Sequence, residues 1–404
     1  MRYSLIRIRG ALLIAALPVI MPVDAAEVYV QPTATLTAET DSNLDMTPGG
    51  QPQVQGYLGS AAALVGIVTP DSGTTIRPRL EYRDYPGDAV DDRLEEYLDL
   101  NSFYKSPRTK ASIGATYDHR DEFNAELTPA LYDEVNPNQP TQPQTGRTLT
   151  GATRDSIILT PNYTYKLAPL WGVGASAIYQ KINYSPNDAF RYVDFYYNLE
   201  KLFAVWTLTQ RSDLTIGPYT SKYEATRYDS NATSNGVFVQ LDTSWTPLLS
   251  TSASVTYQRS KIEYEIPPVF NSTVGAWGAL FSANYKTQTT QFRTDLGRLI
   301  TPSGGGSIYF SDYVQFQVDR SLSSRLNLTA AAIAQRSGAL TANAGGNDRD
   351  YLRTVIDLKW MLARTWFVQG GYGYTWQKYQ LVPDGAANNR VYIRFGYQGL
   401  GRQW

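Results

Sequence analysis

The sequence predicts an all-β chain, a transmembrane antiparallel up-and-down β-barrel of about eighteen strands, with short periplasmic turns and longer extracellular loops. Three observations predict it. Apolar and polar residues alternate with period two in segment after segment. The connections between those segments are short and long in turn. An amino-terminal export signal precedes an array in which no segment is apolar enough to form a spanning helix.

The first ten residues, MRYSLIRIRG, carry Arg2, Arg7 and Arg9 and no acid; the apolar run Ala11 to Ile20 and the small-residue stretch Val23-Asp24-Ala25-Ala26 follow. This is the layout of a secretory signal peptide cleaved near Ala25. The uncharged run is too short for an anchor, because a spanning helix needs roughly 20 residues. Residues 1–25 are therefore expected to be the signal and 26–404 the barrel domain, in the bacterial outer membrane. The 404 residues include no cysteine, so no disulfide is available to the exported chain, and the formal net charge of −1 gives no basic patch for nucleic acid. A mean hydropathy of −0.34 fits a barrel, whose lipid-facing and lumen-facing residues cancel in a window average.

The alternation itself assigns faces. In TIRPRLEYRDY, Ile76, Pro78, Leu80 and Tyr82 take one face and Arg77, Arg79, Glu81 and Arg83 the other. YVDFYYNLE is expected to send Val193, Phe195, Tyr197 and Leu199 outward and Tyr192, Asp194, Tyr196 and Asn198 inward, with a bulge after Glu200 where parity slips. VFVQLDTSW sets Val237, Val239, Leu241 and Trp245 opposite Gln240, Asp242 and Ser244. DYLRTVIDLKW sets Leu352, Ile356, Leu358 and Trp360 against Arg353, Asp357 and Lys359. WFVQGGYGYTW sets Trp366, Val368, Tyr372, Tyr374 and Trp376 against Gln369, Gly371, Gly373 and Gln377. A soluble sandwich also alternates, with its apolar side inside. Aromatic residues toward the ends of apolar faces, such as Trp366, Trp376, Tyr163 and Tyr165, choose the barrel, because membrane interfaces hold amphipathic rings there.

Short connections fall at 70–73, 106–109, 168–170, 209–213, 247–249, 286–290, 321–324 and 363–365, and longer polar ones at 41–53, 86–92, 121–153, 185–190, 228–234, 266–274, 301–306, 337–348 and 380–388. The mature chain, roughly 404 − 25 = 379 residues, gives about 21 residues per strand and connector for eighteen strands. Sixteen is the alternative even count. The last strand, Val391 to Gln398, must pair with the first, around Tyr29 to Ala38, because lipid cannot satisfy an open sheet edge. Arg394 then faces water in the lumen. Trp404 has lumen parity unless Gly399 to Gly401 forms a bulge.

Segments such as YKLAPLWGVGASAIYQKINY, TSWTPLLSTSASVTYQRSKIEY, VDRSLSSRLNLTAAAIAQRSG and LKWMLARTWFVQGGYGYTWQKY share a strand end, a short turn and an alternating strand. With the stretch Thr37 to Asn43 and the closing Asn389-Arg390-Val391-Tyr392, they resemble the outer-membrane β-barrel family of the porin 2 type found beside exopolysaccharide and capsule biosynthesis genes. The resemblance covers nearly the whole mature chain and rests on diffuse strand-turn patterns. It implies a conduit for exopolysaccharide or capsular polysaccharide, working with a polysaccharide export complex. The closing aromatic residue likewise resembles the carboxy-terminal signal that the barrel-assembly machinery reads.

A barrel of about eighteen strands leaves an aqueous channel, and its lumen charges tune selectivity. The inward candidates are Arg77, Arg79, Glu81, Arg83, Glu95, Asp99, Asp194, Asp242, Arg353, Asp357, Lys359 and Arg394. The same-face arginines 77, 79 and 83 would favour anions; the bland alternative is a solvated wall of mutual ion pairs. Inward tyrosines, Tyr97, Tyr192, Tyr196, Tyr313 and Tyr392, could stack on sugar rings. The loop 121–154 would bring Glu122, Glu126, Asp133 and Glu134 to a constriction if it folded inward, although its prolines favour a surface position. Gly304-Gly305-Gly306 lacks the Lys-Ser/Thr of a phosphate loop and reads as a flexible external loop.

Catalysis is not expected. The one histidine, His119, has lipid-face parity at an external strand end, so no base faces the lumen. Without cysteine and with one histidine, a transition-metal site of the usual N/S kind is not expected, and neither is a cofactor. Beside the polysaccharide conduit stand two rivals: a general diffusion or anion-preferring porin, and a closed structural or adhesive barrel whose external loops bind partners. The implied surroundings are outer-membrane lipid.

Overall fold

The computed structural model describes residues 26–50, 53–86, 92–121, 152–185, 192–226, 230–264, 270–340, 348–380 and 382–403. The expected signal segment 1–25, the loop acids Glu122, Glu126, Asp133 and Glu134, and Trp404 lie outside the described residues.

Eighteen long strands follow in order: β1 (Glu27–Asp41), β2 (Val54–Val68), β3 (Ser72–Asp84), β4 (Arg93–Lys105), β5 (Thr109–Asp121), β6 (Thr153–Ala168), β7 (Trp171–Ser185), β8 (Phe195–Thr209) and β9 (Ser212–Ala225), then β10 (Ser230–Ser244), β11 (Leu249–Tyr264), β12 (Phe270–Lys286), β13 (Thr290–Ser303), β14 (Ser307–Ser321), β15 (Leu326–Ala339), β16 (Arg349–Met361), β17 (Trp366–Tyr379) and β18 (Ala386–Gln398). Each pairs antiparallel with its neighbours in sequence. β1 closes on β18 from Thr33↔Gln398 to Asp41↔Arg390, which abolishes the free edges that hydrocarbon cannot solvate. A two-residue strand β19 (Arg402–Gln403) continues the wall. Its register shows the bulge: Gln398 faces Thr33 but Arg402 faces Val30, so Gly399 to Gly401 accommodates one extra residue and flips the parity beyond it.

The strands are 13 to 17 residues long, more than the roughly 9–11 that cross a bilayer, so they project beyond it. That is why the external connections expected at 228–234, 266–274 and 380–388 are shorter in the structure: β10, β12 and β18 begin inside them. At the opposite rim, hydroxyls fix five tight turns. Oγ of Thr69, Ser106, Thr246, Thr287 and Ser323 each accepts from the backbone N–H three residues on, at 3.0–3.1 Å. Ladder pairs are missing beside Pro78, Pro161 and Pro218, which carry no N–H to donate.

Burial is inverted relative to a soluble fold. On β1, outward Leu36 is 69 % exposed, whereas inward Thr37 and Glu39 are 3 % and 5 % exposed. Register matches apolar with apolar across the seam, Leu36 with Phe395 and Ala38 with Ile393, and polar with polar, Thr37 with Arg394. Aromatic pairs mark the lower belt: Trp171 stacks on Trp206 at 5.0 Å and Trp366 on Phe395 at 5.1 Å. A closed barrel with an apolar outer belt and a polar interior is the architecture of a bacterial outer-membrane protein.

One strand departs from the expected faces. On β8, Phe195, Tyr197 and Leu199 point into the barrel, registered with Ile182, Gln180 and Ile178, while Tyr196 and Asn198 face outward. The bulge expected after Glu200 is absent; the ladder to β9 slips instead between Thr207 and Thr209. The apolar residues here meet an apolar cluster inside the mouth rather than lipid.

Candidate functional site: a polarised lumen

The predicted lumen charges converge on one side of the barrel. From β16 through β18 and β1 to β3, alternate positions supply Arg353, Asp357 and Lys359, then Arg390, Tyr392 and Arg394, then Glu39 and Asp41, then Arg77, Arg79, Glu81 and Arg83. β4, β5 and β6 extend it with Arg93, Glu95, Asp99, Asp118, Arg120 and Arg154. Gly371 and Gly373 of β17 leave the floor between β16 and β18 open. The Tyr392 hydroxyl bridges that floor by donating to the Asp357 carboxylate; a Cβ on Gly371 would collide with both groups.

Part of this wall is paired. Glu39 binds Arg390 and, at 3.3 Å, Arg83, joining β18 to β3 across the closure. Arg83 also lies 4.0 Å from Glu95, and Arg79 lies 3.5 Å from Glu81 and 3.9 Å over the Tyr97 ring. Asp118 accepts from Arg120 and Arg154, both at 3.1 Å. Arg77 stands opposite Asp99 in the β3–β4 register. Arg353 and Arg394 differ. Among the described residues neither makes an ion pair; Arg394 Nε donates to Thr37 Oγ1 at 3.0 Å, and Arg353 Nε is buried without a hydrogen bond. Lys359 Nζ reaches Gln398 Oε1 at 3.3 Å.

The facing wall carries mostly neutral side chains. β7 to β12 present Gln180, Tyr219, Ser221, Ser234, Phe238, Gln258, Ser260 and Leu280, together with Lys201 of β8, whose ammonium lies 4.9 Å from the Phe238 ring. An amide and hydroxyl network satisfies the polar ones: Tyr219 Oη donates to Gln258 Oε1 at 2.9 Å and Gln258 Nε2 to Ser260 Oγ at 2.8 Å. Asp242 accepts from Gln240 at 2.9 Å nearer the periplasmic end.

The mouth holds what the sequence did not disclose. The Gly304-Gly305-Gly306 turn, expected to be a flexible external loop, is tucked inside. Ser303, Gly304 and Gly306 to Tyr309 are buried, Val193 N–H donates to Gly304 O at 2.9 Å, and Tyr223 Oη donates to Ser303 O at 2.8 Å. Gly304 is required for the approach, because a Cβ there would collide with the Tyr184 hydroxyl. Tyr184 stacks on Tyr192 at 4.9 Å, and Ile182, Phe195, Ile262 and Ile308 complete the cluster. Asp194 belongs to this fold: its carboxylate accepts from Tyr184 N–H at 2.7 Å, so it braces the mouth rather than lining a strand face. A second cluster, Leu44, Met46 and Tyr85, narrows the mouth beside β18. Burial pushes the Tyr85 phenol up to about 12, so it remains a donor to Glu39, at 3.3 Å.

Of the expected inward tyrosines, Tyr97, Tyr192, Tyr313 and Tyr392 face the interior and Tyr196 does not; it lies outside, 5.2 Å from Lys181. His119 stands on the outer face, 2.7 Å from Asp155. Among the described residues no cluster of His, Asp and Glu has a metal-holding arrangement.

No protein-family model matches the chain, and no curated protein matches it. Among solved structures it is similar to OccK2 (OpdF) of Pseudomonas aeruginosa, with 12 % identity over 92 % of this chain and 98 % of that one and a TM-score of 0.44. It is similar to OccAB4 of Acinetobacter baumannii, with 12 % identity, 93 % and 98 % coverage and a TM-score of 0.43. The ferric-catecholate import receptor Fiu of E. coli K12 shares 8 % identity over 92 % of this chain and 81 % of that one, at a TM-score of 0.40. Likenesses this distant carry no argument about cargo, which has to be made from the lumen itself.

Proposed function

We propose that the chain is a passive outer-membrane pore for small solutes, with a preference for anions. The observation that carries this reading is the charged wall in which Arg353 and Arg394 make no ion pair among the described residues, opposite a wall of mostly neutral side chains on which the inward charge of β8 is the cation Lys201. A small anion can exchange part of its hydration for guanidinium contacts along one side while water fills the rest of the channel. Residues 1–25 direct export, and the barrel-assembly machinery inserts the strands. The diffusion-pore reading replaces polysaccharide export as the leading one. Export rests on the resemblance alone, and the inward β13–β14 turn narrows the entrance a bulky polymer would need.

The test is conductance of the purified protein in planar bilayers under a salt gradient. A steady current whose reversal potential favours chloride over potassium supports the reading. No current would favour the closed scaffold, and a cation-selective current would refute the anion preference.

A further inference from the structure

On its outer face the wall of β6 to β9 is hollowed. Ala175 and Ala177 of β7 stand between Pro161 and Tyr163 of β6 and Leu202 of β8, with Pro218 of β9 beyond, and together they line a groove of about 600 Å³. The cause is local: two short side chains sit between strands whose ladders are interrupted at a proline on either side. These positions share parity with Trp171 and Trp206 of the lower belt, and Leu202 is 65 % exposed, so the groove opens to hydrocarbon.

The upper end of the groove is polar. Glu200, one outward position above Leu202, is in register with Ala177 and Thr220, and Thr220 with Asn235; all three polar residues line the groove. Tyr179 on β7 and Tyr257, paired with Trp277, on β11 flank this level and mark the membrane surface. Three outward cations stand beside it on alternate strands: Lys181 of β7, two residues beyond Tyr179; Lys222 of β9, two beyond Thr220; and Arg259 of β11, in register with Asn235. Lys222 is shared with Glu224. Lys181 and Arg259 make no ion pair among the described residues; Lys181 lies 5.2 Å from the Tyr196 ring. Elsewhere on the outer wall Arg298 and Arg336 are engaged by Asp312 and Asp350, and β4 and β6 present the acids Glu96 and Asp155.

An apolar groove in the hydrocarbon zone with cations directly above it matches the two parts of an anionic lipid. The cations stand on strands two apart, roughly 10 Å from one backbone to the next, a separation that one phosphodiester does not bridge and a head group with two phosphates does. Glu200 narrows the class further. A carboxylate between groove and cations repels phosphate placed on it, but it accepts hydrogen bonds from hydroxyl and amide groups, which an amino-sugar ring supplies on several sides.

We propose that this face is a binding site for one phosphorylated glycolipid of the outer leaflet. An acyl chain lies in the groove over Ala175 and Ala177, sugar hydroxyl or amide N–H groups donate to the Glu200 carboxylate, and the phosphates take Lys181, Lys222 and Arg259, whose long side chains rise from the wall to meet them. The site is independent of what the lumen carries.

The test uses the full barrel, stripped of lipid in detergent, and fluorescent lipid A, a bisphosphorylated acyl-disaccharide, as the probe. Removing both phosphates from the probe, or replacing Lys181→Gln with Arg259→Gln in the protein, should each weaken binding by roughly tenfold or more. Arg298→Gln with Arg336→Gln, the same loss of charge from arginines already engaged, should leave it unchanged. Ala177→Phe fills the groove and should weaken binding while every cation remains. The reversal potential of the Lys181 and Arg259 variant should stay where it was, which separates this site from the anion preference of the lumen. Equal binding with and without phosphates, equal losses in the two charge variants, or phosphatidylglycerol bound as tightly as lipid A would each overturn the proposal. So would self-association of the stripped barrel that the Lys181 and Arg259 variant abolishes, because the face would then belong to a second copy of the chain.

Discussion

The hydroxyl of Tyr223 on β9 donates to the backbone carbonyl of Ser303 on β13, 2.8 Å away, with β10, β11 and β12 between them in the wall. A bond across that interval exists only because the β13–β14 turn has swung inside. Tyr223→Phe removes one buried hydrogen bond, about 1 kcal/mol, and should loosen the turn without unfolding the barrel. Gly304→Val should displace it outright, because the new side chain meets Tyr184. Single-channel current should become noisier in the first variant and larger in the second. Unchanged conductance in both would mean that the turn does not narrow the path.

Glu39 supports the closure. Its carboxylate holds Arg390 of β18 and Arg83 of β3, two cations that come together only when the first and last strands meet. Glu39→Gln leaves both without that partner, at a cost of about 3 kcal/mol, reduced to the extent that lumen water reaches the site. The midpoint of guanidinium unfolding, followed by tryptophan fluorescence, should fall, and the reversal potential should move further toward chloride. A stable variant with unchanged selectivity would show that the pair contributes neither.

The arginines separate selectivity from stability. Arg353→Ser with Arg394→Ser removes two cations that make no ion pair among the described residues, and should lower the chloride-to-potassium permeability ratio with little change in unfolding. Replacing Arg77, Arg79 and Arg83 by Ser should lower the ratio too, but with a loss of stability, since buried Glu39 then keeps only Arg390 of its two guanidinium partners and buried Glu95 loses the Arg83 guanidinium beside it. An unchanged reversal potential in the first variant would remove the anion wall from the mechanism.

Much of this was legible in the chain. Eighteen strands, the closure of β18 on β1, the tight turns and the inward Arg77, Arg79, Arg83, Arg353, Asp357, Lys359 and Arg394 follow from period-two alternation, because in a barrel parity and environment are the same variable. Parity fails where that identity fails. Phe195, Tyr197 and Leu199 are apolar because they pack on Ile182, Tyr223 and Ile308 inside the mouth, and a sequence pattern cannot distinguish that neighbour from lipid. The inward turn was hidden for a related reason: three glycines allow both a loose loop and a close approach, and only the position of Tyr184 across the mouth decides between them. The pairing of Glu39 with Arg83 and Arg390 depends on closure, which brings together residues 44 and 351 positions apart.

The division of the wall into two solvents can be tested one residue at a time. Leu358 and Phe395 are exposed on the outer face, and their sequence neighbours Asp357 and Arg394 face inward. A nitroxide at 358 or 395 should be relaxed by oxygen dissolved in hydrocarbon, and one at 357 or 394 by a water-soluble nickel chelate. Arginine introduced at Leu358 should cost about 2–4 kcal/mol of folding free energy, since a charge then meets the bilayer interior. Arginine at inward Gln369, one strand away and beside Lys359 and Arg394 in register, adds a charge to water and should cost much less. Both comparisons turn on which face a residue takes: if labels one residue apart, or the outward and inward arginines, behaved alike, neither face would be lipid and the pore reading would fail with the barrel.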